Sequence, residues 1–284
     1  MNKYKYLLTI WAFCSSCVLA AGLPETVHFP SADGKTTLTG YMFRPAGSGP
    51  HPAVVMMHGR AGSYSTLRPG HHDNANLTAR HRLWGQFWAE RGYLALHVDS
   101  FGPRGYPAGF GKHSYGSRPP EVSEQSVRPY DAYGALAYLR SREDVDRQRI
   151  GLQGWSNGGM AVLATLAPRP PGLSDPTPES GFRAAIASYP SCRFQEKQED
   201  YRPYAPLLLM VAGDDDEVSP VVCRRFNEQI KRRGATVEFI WFEEAQHSFD
   251  DPGKRKQSHA PNRDALKGAL DAAARFFDRH LAAR

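Results

Sequence analysis

The chain has 284 residues, 41% of them hydrophobic and 23% charged, which is enough apolar material for a sizeable core and excludes wholesale disorder. The net charge of +6 is modest, and its densest basic runs, Lys231-Arg232-Arg233 and Lys254-Arg255-Lys256, are short and lack interleaved aromatics. They read as solvated helix ends and loops, so no nucleic-acid partner is expected.

The N-terminus reads as a leader. Lys3 and Lys5 precede an apolar stretch opening with Leu7-Leu8-Thr9-Ile10-Trp11-Ala12-Phe13, and Val18-Leu19-Ala20 closes it with small residues. This is the pattern of a secretory signal peptide over residues 1–20, cleaved after Ala20, with Ala21 as the alternative. The apolar core is too short for a confident membrane span. The expectation is an exported protein, periplasmic or secreted, without stable membrane insertion after cleavage. Loss of Lys3 and Lys5 takes the charge from +6 to +4. Residues 21–284 then form a single domain whose remaining cysteines are Cys192 and Cys223. In an oxidising compartment these either pair or stay as two separate buried thiols.

The elements follow in chain order. Residues 37–44 alternate and read as an early antiparallel strand, and residues 53–57 as the first central strand. Residues 82–91 read as a helix and 93–97 as the next strand. Residues 129–140 read as a helix, with Pro129 tolerated in its first turn and Ala132, Leu136 and Leu139 as its buried stripe. Residues 149–153 read as a short buried strand and 160–166 as a helix. The apolar runs 184–189 and 206–212 suit strands covered on both faces, and 236–242 has strand character. Residues 262–281 close the chain as a helix with Leu266, Leu270, Ala273 and Phe277 on one face. Strands alternating with helices imply an α/β fold, a mostly parallel central sheet with helices on both faces.

Between the strand at 149–153 and the helix at 160–166 lies Gly154-Trp155-Ser156-Asn157-Gly158, a G-x-S-x-G sequence. A serine on so sharp a strand-to-helix turn is pushed out at the edge of the sheet, where it can act as a nucleophile. It needs a base, and the base an orienting acid. The acidic run Gly213-Asp214-Asp215-Asp216-Glu217-Val218 follows one strand, and Glu243-Glu244-Ala245-Gln246-His247-Ser248-Phe249 follows the next. Serine, acid and histidine thus occur in the order of the α/β-hydrolases, each beyond a strand end, where sites form in open α/β sheets. Spacing alone does not choose among the three aspartates.

From about Pro52 to its C-terminus the chain resembles the dienelactone hydrolases of the α/β-hydrolase superfamily. The matching pieces are Val54-Val55-Met56-Met57-His58-Gly59-Arg60-Ala61-Gly62, Val98-Asp99-Ser100-Phe101-Gly102-Pro103-Arg104-Gly105, the serine turn, Gly213-Asp214-Asp215-Asp216-Glu217-Val218-Ser219-Pro220 and Ala245-Gln246-His247-Ser248-Phe249. The resemblance implies the triad Ser156, Asp216 and His247, the acid lying three residues after the strand-ending glycine. Two positions depart from the best-known members: Ser156 stands in place of a cysteine, and Gly59 in place of a glutamate in the first loop. Both favour the broader, ester-hydrolysing serine members. Arg104, within one matching piece, is a candidate partner for a substrate carboxylate; the alternative is a loop-pinning role through backbone carbonyls.

The oxyanion of a tetrahedral intermediate needs two donors. The residue after the nucleophile gives the Asn157 backbone N–H, and the loop after the first central strand gives that of Arg60, with Ala61 second. Two long connections, residues 61–76 and 101–120, are rich in glycine, proline, histidine and tyrosine and are expected to shape a pocket beside Ser156. Adjacent His71 and His72 point in different directions, so no metal is assigned. The whole describes a cofactor-independent hydrolase of small soluble esters or lactones. An oligopeptidase is the alternative among enzymes, and a non-catalytic binding protein the alternative outside them.

Overall fold

The computed structural model describes residues 22–283. The leader expected over residues 1–20 lies outside them.

Eight strands form one sheet in the order β1-β2-β4-β3-β5-β6-β7-β8: β1 (Glu25–Pro30), β2 (Thr37–Phe43), β3 (His51–Met57), β4 (Leu94–Asp99), β5 (Val145–Trp155), β6 (Ala184–Ser188), β7 (Leu207–Asp214) and β8 (Val237–Gln246). From β4 to β8 every pairing is parallel, while β2 runs antiparallel to both β1 and β4. The helices are α1 (Ala79–Glu90), α2 (Arg128–Arg140), α3 (Asn157–Thr165), α4 (Arg193–Glu196), α5 (Pro220–Arg232), α6 (Lys254–Gln257) and α7 (Ala260–His280). The expected α/β fold, a mostly parallel sheet with helices on both faces, is the observed one.

Side chains alternate along the central strands between two cores. Val55 and Met57 of β3, with Leu207 and Leu209 of β7, face α2, α3 and α5. Val54 and Met56, with Leu208 and Met210, face α1 and α7. Such strands, covered on both sides, read as continuous apolar runs, and each large side chain buried this way contributes ~1.5–3 kcal/mol. The expected stripe of α2 is correct, since Ala132, Leu136 and Leu139 are all buried.

Among the elements that differ from the sequence reading, three have a clear physical cause. Strand β1 was not anticipated, although Val27 and Phe29 alternate inward along it. Helix α1 begins at Ala79, three residues early, because the Thr78 hydroxyl accepts the His81 N–H and caps it. Helix α7 is rotated from its expected face: Ala265, Ala269, Ala272, Ala273, Phe276 and Phe277 are buried, while Leu266 and Leu270 are only partly covered. Alanines let the helix axis sit close to the sheet, and the longer leucines fit its flanks.

Candidate active site

Strand β5 ends at Trp155 and α3 begins at Asn157, so Ser156 is the whole of the turn between them. Its backbone sits at φ 53°, ψ −115°, a left-handed conformation that a non-glycine residue adopts at a cost on the order of 1–3 kcal/mol. The two glycines of the motif make the turn possible. A Cβ on Gly158 would lie 2.0 Å from the Met57 carbonyl oxygen, and one on Gly154 would lie 2.3 Å from the Gly158 carbonyl oxygen. Strand and helix backbones come too close there for any side chain.

His247, beyond the end of β8, places Nε2 2.9 Å from Ser156 Oγ. Its ring is 4% exposed and packs edge-on against Tyr189 at 4.9 Å between centroids. The Tyr189 hydroxyl donates to the buried Asp250, which also accepts from Trp84 Nε1. His247 is thereby wedged by a buried aromatic.

The carboxylate that meets His247 is that of Asp215, which corrects the expectation of Asp216. Asp215 Oδ2 lies 2.8 Å from His247 Nδ1, and its side chain is 1% exposed. Its other oxygen, Oδ1, accepts the backbone N–H groups of Glu217 and Val218, each at 2.9 Å. Asp216 instead points outward, 65% exposed, and pairs with Lys112. Counting from Gly213 assumes that the strand stops at the glycine. Here β7 continues through Asp214, and its ladder with β8 shifts register between Ala212 and Asp214. That shift turns the middle aspartate of the run inward.

The two segments expected to supply oxyanion donors meet at Ser156. A Cβ on Gly59 would lie 3.3 Å from the Trp155 carbonyl oxygen and 3.6 Å from Ser156 Cβ, so the first loop rests on the serine turn. His58 sets this loop's orientation. The Ser100 N–H donates to His58 Nε2 at 3.1 Å, which makes Nδ1 the protonated nitrogen, and Nδ1 donates to the Gly59 carbonyl at 2.7 Å. The Gly62 N–H donates to the same carbonyl. In a trans peptide the C=O and the next N–H point oppositely, so fixing the Gly59 carbonyl inward turns the Arg60 N–H outward. Among the described residues no hydrogen bond claims the Arg60 or the Asn157 backbone N–H.

A residue that sequence reasoning missed joins these two segments. Arg128, fully buried at the start of α2, donates from one guanidinium nitrogen to the His58 carbonyl at 2.8 Å and from the other to Asn157 Oδ1 at 2.5 Å. Asn157 Nδ2 in turn donates to Glu124. Burial lowers the Arg128 guanidinium to about 10, so it stays charged at neutral pH. Burial, reinforced by the Arg128 charge, keeps His58 neutral well below the usual histidine range. One signal was available: a cation in the first turn of a helix is opposed by the helix dipole and needs another reason to be there.

Arg104 does not face the site, which corrects its candidacy as a substrate ligand. Its guanidinium is 6% exposed, bonds both oxygens of the buried Asp131 at 2.8 and 2.9 Å, and donates to the Ser100 carbonyl. It pins the loop after β4. The charged pair that does face the site is Arg60–Glu217. Arg60 Nε and a terminal nitrogen each reach a Glu217 oxygen at 2.9 Å, and the other terminal nitrogen donates to the Phe110 carbonyl. Glu217 Oε2 lies 3.7 Å from His247 Nε2. Burial pushes the Glu217 carboxyl up, but the Arg60 bonds and the charge of His247 outweigh it and hold it below the usual glutamate range.

Both long connections border Ser156, as expected. Ala61, Gly62 and Tyr64 to Leu67 line a cavity of about 490 Å³ that also contains His247 and Arg80. Lys112, His113, Tyr115 and Arg118 line a second, of about 440 Å³, with Asn157, Met160 and Phe194. Cys192 and Cys223 form a disulfide with Cα atoms 5.1 Å apart, tying the segment before Phe194 to α5. Among the described residues no group of three or more histidine, cysteine, aspartate or glutamate side chains is placed to hold a metal, and no helix is long and apolar enough to cross a membrane.

A family model described as the dienelactone hydrolase family matches residues 38–281. An uncharacterised protein of Mycobacterium tuberculosis is 29% identical over 222 residues, 74% of this chain and 68% of its own length. Among solved structures, a putative dienelactone hydrolase from Klebsiella pneumoniae superposes with a TM-score of 0.65 at 17% identity, covering 89% of this chain and 98% of that one. Esterase 2 of Thermogutta terrifontis, phosphorylated by paraoxon, superposes with a TM-score of 0.66 at 22% identity, covering 93% of this chain and 97% of that one.

Proposed function

The chain belongs to the dienelactone hydrolase family, and from that premise we propose that it is an exported serine hydrolase cleaving small soluble carboxylic esters or lactones through an acyl-enzyme. The observation that carries the reading is the unbroken chain Asp215–His247–Ser156, with contacts of 2.8 and 2.9 Å, on a strained serine turn. His247 Nε2 takes the Ser156 proton as Oγ attacks the ester carbonyl, and Asp215 holds Nδ1–H and balances the imidazolium. The Arg60 and Asn157 backbone N–H groups receive the oxyanion; one such donor is worth ~3 kcal/mol of transition-state stabilisation. Collapse breaks the ester C–O bond, and the Nε2 proton leaves with the alcohol. Water then gives a proton to Nε2 and its hydroxyl to the acyl carbon; the bond from that carbon to Ser156 Oγ breaks, the Nε2 proton returns to Oγ, and the acid leaves. No step requires a cofactor.

Export rests on the leader pattern of residues 1–20 and is supported by the buried Cys192–Cys223 disulfide, which suits an oxidising compartment. Small soluble substrates are supported by the mixed polar and apolar lining of the cavities of about 490 and 440 Å³ beside Ser156. Two measurements test the reading. A fluorophosphonate should label Ser156, and Ser156→Ala should stay folded yet lose ester hydrolysis. Across acetyl, butyryl and dodecanoyl esters of one alcohol, kcat/KM should favour the short acyl groups. Turnover by a folded Ser156→Ala variant, or label on another residue, rejects the nucleophile. A clear preference for the dodecanoyl ester rejects the substrate class.

A further inference from the structure

Ser156 opens onto two cavities, and the residues common to their linings are Ser156, Arg60 and Glu217. The wall that separates them over the nucleophile is therefore the Arg60–Glu217 ion pair. It is well built for that purpose. Two parallel hydrogen bonds fix the guanidinium against the carboxylate, a third to the Phe110 carbonyl holds it from behind, and the side chains are only 21% and 18% exposed. A bidentate pair of this kind is geometrically stiff. It also ties together three segments 50 to 157 residues apart in sequence.

An ester has two limbs that diverge from the carbonyl carbon, and two chambers meeting at Ser156 fit one limb each. The chemistry decides which limb goes where. The leaving oxygen must collect its proton from His247 Nε2, and the water of the second step must give a proton to the same atom. Both must therefore approach from the side that His247 borders. His247 lines the first cavity and not the second. The acyl limb then occupies the second, beside Asn157, whose N–H faces the carbonyl oxygen, and against Met160, Val218, Tyr115 and Phe194. Tyr115 and Phe194 are among the large apolar side chains left exposed in the protein, at 57% and 50%, as expected for groups waiting for an apolar limb.

Resting on the serine-hydrolase reading above, we propose that the Arg60–Glu217 bridge is a specificity-determining partition. It divides an acyl chamber at Met160 and Phe194 from a leaving-group chamber at His247 and Thr66. While it stands, bulk close to the carbonyl carbon on the acyl side has no room to spread across the nucleophile. Glu217→Ala joins the chambers.

The test compares kcat/KM for a pivalate and an acetate ester of one alcohol, each ratio taken within a single variant. Cutting the partition by Glu217→Ala should raise the pivalate-to-acetate ratio about tenfold, the scale on which pocket shape discriminates a methyl or two. Glu217→Gln, which keeps the volume and a hydrogen bond to Arg60, should stay near the wild-type ratio. Chamber assignment is read separately. Val218→Phe should shorten the acyl chain accepted without changing tolerance of large alcohols, and Thr66→Phe should do the reverse. An unchanged ratio in Glu217→Ala, equal ratios in Glu217→Gln and Glu217→Ala, or the opposite response of the two phenylalanine variants overturns the partition. The wild-type enzyme is assayed first. If it turns over none of these esters, the serine-hydrolase reading fails, and the partition falls with it.

Discussion

Asp215→Asn is the most informative single perturbation, because the surroundings dictate how the new side chain must sit. Asp215 Oδ1 accepts two backbone N–H groups, from Glu217 and Val218. An asparagine can keep both bonds only by leaving its oxygen there, which turns its NH2 toward His247 Nδ1. Nδ1 then becomes an acceptor, the ring proton moves to Nε2, and Nε2 no longer takes the Ser156 proton. The imidazolium that forms in the transition state also loses its facing carboxylate. Loss of the triad acid in this way lowers kcat ~10⁴-fold, which is about 5.5 kcal/mol of barrier at 1.36 kcal/mol per decade. Asp216→Asn removes only a solvent-exposed pair with Lys112 and should leave kcat close to wild type. The assay is steady-state hydrolysis of a short-chain ester by each variant, with active-site titration to normalise and thermal melting to confirm folding. A larger loss at Asp216 than at Asp215, with both variants folded, would falsify the assignment.

Other outcomes follow from the same contacts. Arg128→Met leaves the His58 carbonyl and Asn157 Oδ1 without their donor in a dry site, at ~1–3 kcal/mol for each unpaired group; kcat should fall at least tenfold with KM little changed, and a rise in KM alone would show that Arg128 does not position the oxyanion donors. His58, His81 and His97 are buried and held neutral, burial lowering His97 to about 3. Since their unfolded counterparts bind a proton below about 6.5 and the folded ones do not, stability should drop as pH falls from 6.5 toward 5, by about 1.4 kcal/mol per pH unit for each histidine. Urea midpoints across that window check this, and a flat profile refutes it. The Cys192–Cys223 disulfide closes 31 residues of chain, so the Cys192→Ala, Cys223→Ala pair should lose ~3.5 kcal/mol by the loop-entropy argument, measured by denaturant unfolding; a loss under 1 kcal/mol would show that the bond constrains little.

The fold was legible in the sequence because its strands are buried on both faces and its motifs fall at strand ends. Ser156 and His247 were legible for the same reason, as each occupies a turn whose flanking elements are strongly patterned. What failed depended on distances the sequence does not carry. Strand β1 alternates over only six residues at a sheet edge, too short a signal beside the central strands. The α7 face was misjudged because leucines outweigh alanines in a periodicity reading, whereas contact with the sheet favours the smaller residue. Each aspartate at 214–216 has the same capacity for an Asx turn, and a register shift in the β7–β8 ladder decides which one uses it. Arg128 and Glu217 act through partners 29 to 157 residues away, and no local pattern names such a partner.

His247 at Ser156 and His58 in the loop that rests on the serine turn are held differently. His247 faces Asp215 and Glu217 and therefore sits where a positive charge is welcome during turnover. His58 has Asp99 3.8 Å from Nε2, yet burial and the Arg128 charge disfavour a second proton, and Nε2 already accepts the Ser100 N–H. In the proposed mechanism protons move through His247, while His58 keeps a single tautomer. That fixed tautomer holds the Gly59 carbonyl inward and, through the planarity of the peptide, the Arg60 N–H outward. In the mechanism proposed above, a donor whose direction is fixed in this way needs no reorganisation when the oxyanion charge develops, which is the condition under which such a donor contributes most. The buried groups pack on aromatic neighbours: His81 on Trp155, His97 on Tyr41 and His81, and His58 and Arg128 on Phe101.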